Sequence, residues 1–93
     1  MVVGLLSVEL HVPGSHSLND MRIVLRRIKD RLKKFNVAVS EVEHQDLWQR
    51  AGLAVVTVST DEKQADRELA AVADEIERVE PGLITRTDVE FLT

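Results

Sequence analysis

The side chains with the widest chemical repertoire in this chain are three histidines, His11, His16 and His44, with Glu43 and Asp46 close to the last. Histidine and carboxylate together are the raw material of a metal site or of general acid–base catalysis. Here the donors come from separate segments, without a short His-x-x-x-His spacing. No nucleophile elbow and no glycine-rich phosphate loop accompanies them. Ordinary loop and strand-end histidines are the simpler account. Cysteine is absent, which excludes disulfides, thiolate catalysis and cysteine-ligated metals. No catalytic residue, metal ligand or cofactor is therefore assigned, and the expectation is a protein that is not an enzyme.

The second set is electrostatic. Between Ser17 and Phe35 stand Arg22, Arg26, Arg27, Lys29, Arg31, Lys33 and Lys34 against Asp20 and Asp30, a net charge of +5. The rest of the chain holds five basic and fourteen acidic residues, so the formal total is −4. At 100° per residue, Arg22, Arg26, Lys29 and Lys33 fall on one flank of an apolar helical stripe. Arg27, Arg31 and Lys34 fall on the other, with Ile23 outward between them. Such a surface suits a phosphate backbone, because each contact releases a counterion. The plainer alternative is a solvated face, partly neutralised by an acidic second helix over Asp61 to Glu80. Surface ion pairs of that kind add only about 0–1 kcal/mol each.

Two loops complete the inventory. Pro13-Gly14-Ser15-His16-Ser17 leads into a helix N-terminus, which is either an anion site or a plain turn with an N-cap. The connection from Glu43 to Arg50 carries the only tryptophan, Trp48. It is either packed over the sheet edge or exposed as an anchor, and Arg50 is placed to stack on it or to bind an acid.

The elements that must position these residues follow from periodicity. Val2 to Val12 alternates with period two, and Pro13-Gly14 breaks the strand. Ser17 caps a helix with Asp20 three residues on; Leu18, Met21, Leu25, Ile28, Leu32 and Phe35 form its inward stripe, and Asn36 ends it. Val37 to Val42 is β-branched and reads as a strand. His44 to Arg50 reads as a polar connection with a helical turn at Asp46 to Gln49. Leu53 to Ser59 is a third strand. Thr60 or Asp61 caps a second helix with Ala65, Leu69, Val72, Ile76 and Val79 inward, stopped by Pro81-Gly82. Ile84 to Leu92 is a last strand.

This βαββαβ order predicts an α+β, ferredoxin-like fold: one domain over residues 1–93, a four-stranded antiparallel sheet, both helices on one face. All three histidines then gather at one end of the sheet. The other sheet face is left bare, with Val3 and Leu5 on it, and a homodimer through that face is the expectation. No aromatic lies in the first or third strand, which argues against stacking of RNA bases on the sheet. No run approaches the roughly 20 apolar residues of a membrane span, and Met1 to Leu6 lacks the basic start of a signal peptide. The expected location is cytoplasmic, with no membrane partner.

Two resemblances bear on function. Pro13-Gly14 resembles the first loop of amino-acid-sensing ACT-like domains. More specifically, Val3 to Leu18 and the block Glu41-Val-Glu-His-Gln-Asp-Leu-Trp-Gln-Arg-Ala51 resemble the YlxP-like family of small bacterial proteins. Within that block His44, Gln45, Asp46, Trp48 and Arg50 carry the likeness. The resemblance implies a ferredoxin-like fold, and genes often neighbouring those for ribosome-binding factor A, transcription factor NusA and translation initiation factor two. It implies a role near ribosome maturation or translation and assigns no catalytic residue. Where the family tends to carry lysines after Ser-Leu, this chain has Asn19 and Met21. The leading expectation is thus an RNA- or ribosome-associated binding protein using the first helix. The alternative is a homodimeric, ACT-like small-ligand or protein-interaction module binding at residues 13–17 and 44–50.

Overall fold

Alternation near the start of the chain becomes strand β1 (Val2–His11). The computed structural model, which describes residues 1–43 and 48–92, then places α1 (Leu18–Leu32), β2 (Ala38–Glu43), β3 (Arg50–Ser59), α2 (Glu62–Val79) and β4 (Ile84–Leu92). The strands form one antiparallel sheet in the order β2-β3-β1-β4, the βαββαβ arrangement expected. Among the described residues no helix is long and apolar enough to cross a membrane.

Even-numbered β1 residues Leu6, Val8 and Leu10 are buried beneath the helices, in register with Val55, Leu53 and Ala51 of β3. Met21, Leu25, Ile28 and Leu32 of α1 and Ala65, Leu69, Val72 and Ile76 of α2 close over them. Each fully buried aliphatic side chain contributes about 1.5–3 kcal/mol through its removal from water. Gly4 lets α2 approach β1 closely: a Cβ there would meet Leu69 Cδ1 at 3.0 Å and Phe91 Cε1 at 3.5 Å. Gly82 has φ +79°, the left-handed turn that follows α2, and its amide donates to Glu77 Oε1 at 2.9 Å.

Several boundaries differ from expectation, each for a local reason. Helix α1 ends at Leu32 rather than near Asn36, because the Lys33 amide closes on the Asp30 carbonyl and Phe35 turns back onto Leu32. Phe35 and Val79 are consequently only partly buried, at the ends of their stripes. Leu18 is 40% exposed, since the first turn of α1 overhangs the sheet. Strand β3 begins at Arg50, three residues early, because Arg50, Ala51 and Gly52 pair with His11, Leu10 and Glu9. Trp48 and Gln49 form a bend and are not helical. Asp61, not Thr60, caps α2, its carboxylate accepting from the Gln64 amide at 2.8 Å.

Candidate functional site

Helix α1 is amphipathic, and what lies on its two polar flanks is unlike. On the α2 side, Arg27 pairs with Glu80, and Lys34 pairs at 3.2 Å with Glu75, to which Arg78 also donates. Glu75 is buried beneath the helix pair. The Arg78 guanidinium holds its carboxyl below the ordinary carboxylate range, with Lys34 assisting and burial opposing. The acidic second helix thus absorbs Arg27 and Lys34, as the plainer reading of the charge pattern requires. Arg31, grouped with them by helical angle, is exposed and has no acidic partner among the described residues.

On the other flank, α1 stands off from β2 and leaves a groove of about 850 Å³. Arg22, Arg26, Lys29 and Lys33 line it together, as their spacing of four, three and four residues dictates. Of its apolar lining, Leu18 is exposed and Val39 half-buried, whereas Met21 and Leu25 are core residues that reach it only at their edges; Ala51 and Gly52 of β3 also border it. Two acids also face it. Glu41 lies on the helix side of β2, opposite Leu53, and its Oε2 is 2.5 Å from Lys29 Nζ. Asp30 is 3.2 Å from Lys33 Nζ, an exposed pair one turn apart. Arg22 and Arg26 have no acidic partner among the described residues and are exposed. They are the cations left available to a ligand. Helical angle placed all four basic residues on this flank; the groove itself, and the presence of Glu41 in it, had no signature in the sequence.

The helix N-terminus is already satisfied. Ser17 Oγ accepts from the Asp20 amide at 3.0 Å, and the Asp20 carboxylate accepts from the His16 amide at 2.9 Å. Asp20 thereby occupies the side of the first turn of α1 where an external anion would otherwise sit, the arrangement of a plain turn with an N-cap. That loop is tied to the 43–50 connection: Gln49 Nε2 donates to the Ser15 carbonyl at 3.1 Å, and the Val12 amide donates to the Gln49 carbonyl at 2.8 Å. The turn before β4 joins them through the His11 amide and the Leu83 carbonyl, so the three loops do meet at one end. His11 and His16 are exposed there. Among the described residues no three histidine or acidic side chains converge on a common point. His44, Gln45 and Asp46 lie outside the described residues. Trp48 is 52% exposed, which settles the choice between a packed and an exposed indole; Arg50 is exposed opposite His11.

The sheet face away from the helices carries an apolar half. Val3 and Leu5 of β1 are half-buried there, next to Val58, exposed at 52%, and Leu92, exposed at 58%. Toward the other end the same face turns polar, around Ser7, Glu9, Arg86 and Asp88.

Comparison with known proteins agrees with this architecture. A family described as protein of unknown function, DUF503, matches residues 3–89. The chain is 37% identical over 94 residues to the uncharacterized protein YlxP of Bacillus subtilis (strain 168), spanning 94% of this chain and 98% of that protein. Among solved structures it is similar to a putative antibiotic biosynthesis monooxygenase from Bordetella bronchiseptica, with TM-score 0.57 and 14% identity, covering 100% of this chain and 97% of that one. It is also similar to SnoaB, a cofactor-independent oxygenase from Streptomyces nogalater, with TM-score 0.53 and 16% identity, covering 99% and 91%. At such identities the likeness is one of fold alone, and a de novo designed protein, Foldit4, shares it at TM-score 0.55 and 15% identity over 99% and 96% of the two chains. Sequence, with matches running nearly end to end, decides the relationship: the chain belongs to the DUF503 family.

Proposed function

We propose that this protein is a non-enzymatic RNA-binding protein acting on ribosomal particles in the cytoplasm, with the β2-facing flank of α1 as its contact surface. The observation that carries this reading is the pair Arg22 and Arg26: two exposed guanidiniums, one helical turn apart, without an acidic partner among the described residues and beside a groove. An acidic protein has little reason to leave such charges unneutralised while its second helix pairs with Arg27 and Lys34. Phosphates bind guanidiniums through paired, charge-assisted hydrogen bonds. Lys29 and Lys33 extend the row, each shared with an acid that a phosphate would displace.

The test is co-sedimentation of the protein with ribosomal particles at low and high salt, together with direct RNA binding. The double variant Arg22→Glu/Arg26→Glu is expected to abolish association at low salt while leaving the melting temperature in place. Arg31→Glu, on the far side of the helix, is expected to retain it. Undiminished association of the double variant would refute the assignment.

A second reading, self-association, is favoured by the apolar half of the open sheet face. Val3, Leu5, Val58 and Leu92 form an uncovered patch, of the kind that joins two copies of a small α+β domain. The two readings use opposite faces and are compatible.

A further inference from the structure

We infer that the RNA held by α1 is single-stranded, and that Trp48 stacks on one of its unpaired bases at the end of the sheet where α1 begins. This rests on the RNA-binding reading above and narrows it.

Exposure of the indole is the first sign. Of one tryptophan and two phenylalanines, Phe35 and Phe91 are half-buried and only Trp48 is exposed, at 52%. Leaving half of so large an apolar ring in water forfeits burial that the core residues of this chain obtain. The backbone that follows it is nonetheless tied down. The Gln49 carbonyl accepts from the Val12 amide at 2.8 Å, and Gln49 Nε2 donates to the Ser15 carbonyl at 3.1 Å. From Arg50 onward the chain is strand β3, paired with β1. The exposed ring is thus carried on a bend anchored to its neighbours.

Position is the second, independent sign. Strand β1 ends at His11, opposite Arg50, and α1 starts at Leu18, so Trp48 and the first turn of α1 share one end of the sheet. Ala51 and Gly52 border the groove there, with Leu18 and Arg22. Trp48 precedes Ala51 by three residues, which sets it within roughly 11 Å of the groove border. A strand whose phosphates lie on Arg22 and Arg26 therefore reaches the indole with its next nucleotides. Leu18, 40% exposed, adds apolar surface at the same end.

A duplex can use these cations but not the indole, because its paired bases are held inside their own stack. Unpaired bases present flat faces to an aromatic ring. A cationic row that tracks the backbone, together with a ring that takes a base, is the combination by which single strands are held. Every base has such a face, so the site carries little sequence preference. Stacking takes place beside the groove and not on the sheet, where β1 and β3 offer no aromatic residue.

The experiment uses the single tryptophan as its own reporter, since the chain has no tyrosine and its intrinsic emission comes from Trp48. Short oligo(U) and an RNA duplex carrying the same number of phosphates are titrated at neutral pH and low salt. Emission is followed together with the anisotropy of labelled RNA. Oligo(U) is expected to quench Trp48 as it binds, and the duplex to leave the emission unchanged. Trp48→Ala is expected to weaken oligo(U) binding about tenfold, the worth of one stacked base, with duplex affinity unaltered. Trp48→Phe should restore most of the loss, and an unchanged melting temperature reports an intact fold. Oligo(U) binding without quenching overturns the inference while leaving RNA binding in place. So does equal weakening of both RNAs by Trp48→Ala. Unaltered oligo(U) affinity of Trp48→Ala also overturns it and leaves the indole to a protein partner. Failure to bind either RNA removes the RNA-binding reading and this inference with it.

Discussion

Lys29 on α1 and Glu41 on β2 join the helix to the edge of the sheet across the groove, Nζ to Oε2 at 2.5 Å. Both side chains are about one-third exposed, so water and salt weaken the pair and its worth to stability is small, under about 1 kcal/mol. Its consequence lies in the charge available to a ligand.

Glu41→Gln frees Lys29. The expected result is several-fold tighter binding of oligo(U), with the slope of log affinity against log salt steeper by about 0.7, one added phosphate contact to a single strand. Titrations at three salt concentrations measure it. An unchanged slope would show that Lys29 does not reach the ligand.

Gly4→Ala tests the packing of α2 on β1. Alanine is ordinarily the better strand residue, by roughly 0.5–1 kcal/mol. Here the added methyl would lie 3.0 Å from Leu69 Cδ1, with Ala65 Cβ and Phe91 Cε1 both at 3.5 Å. Overpacking of this kind costs about 1–3 kcal/mol, so a net loss is expected on urea denaturation. A gain would mean that Leu69 moves aside freely.

Glu75 predicts the acid limb of stability. Hydrogen bonding from Arg78, then Lys34, lowers its carboxyl below the ordinary value in the folded state. A lowered folded pKa contributes stability that is present above the unfolded pKa and lost as pH falls through the folded one. Melting temperature should therefore decline as pH drops below the ordinary carboxylate range. Glu75→Gln should flatten that decline relative to wild type. Superimposable pH profiles would remove Glu75 from the account.

The open face predicts concentration-dependent mass. Sedimentation equilibrium should show a monomer–dimer equilibrium that Val58→Glu shifts to monomer, because Val58 stands exposed beside Val3 in the apolar half of that face. A monomer at all concentrations for the unaltered chain would exclude this interface. RNA binding by Val58→Glu should match wild type, since α1 lies on the opposite side of the sheet.

Period-two and helical patterns carried the fold because each strand and helix buries one face only. Leu6, Val8 and Leu10 had to share a side, and so did Met21, Leu25, Ile28 and Leu32. Ends were less legible, because they depend on tertiary neighbours: Leu18 continues the α1 stripe in sequence yet overhangs the sheet in space. Arg50, polar and outside any alternating run, joins β3 because His11 is there to pair with it. The candidate site was half legible. Helical angle sorted the seven basic residues into two flanks, but only the placement of α2 shows that Arg27 and Lys34 are spent on Glu80 and Glu75. Glu41 could not be foreseen as a groove residue, since its approach to Lys29 depends on how far α1 stands from β2.

The lateral arrangement of the two helices has one further outcome. An acidic α2 lies beside a basic α1 on the same side of the sheet, so positive and negative charge are separated laterally within that layer although the net charge is −4. In the field of a polyanion such a body turns before it touches, presenting α1 and holding α2 away. Net repulsion discourages approach in every other orientation. If the protein binds RNA as proposed, encounters that present α1 are therefore favoured over those that present α2.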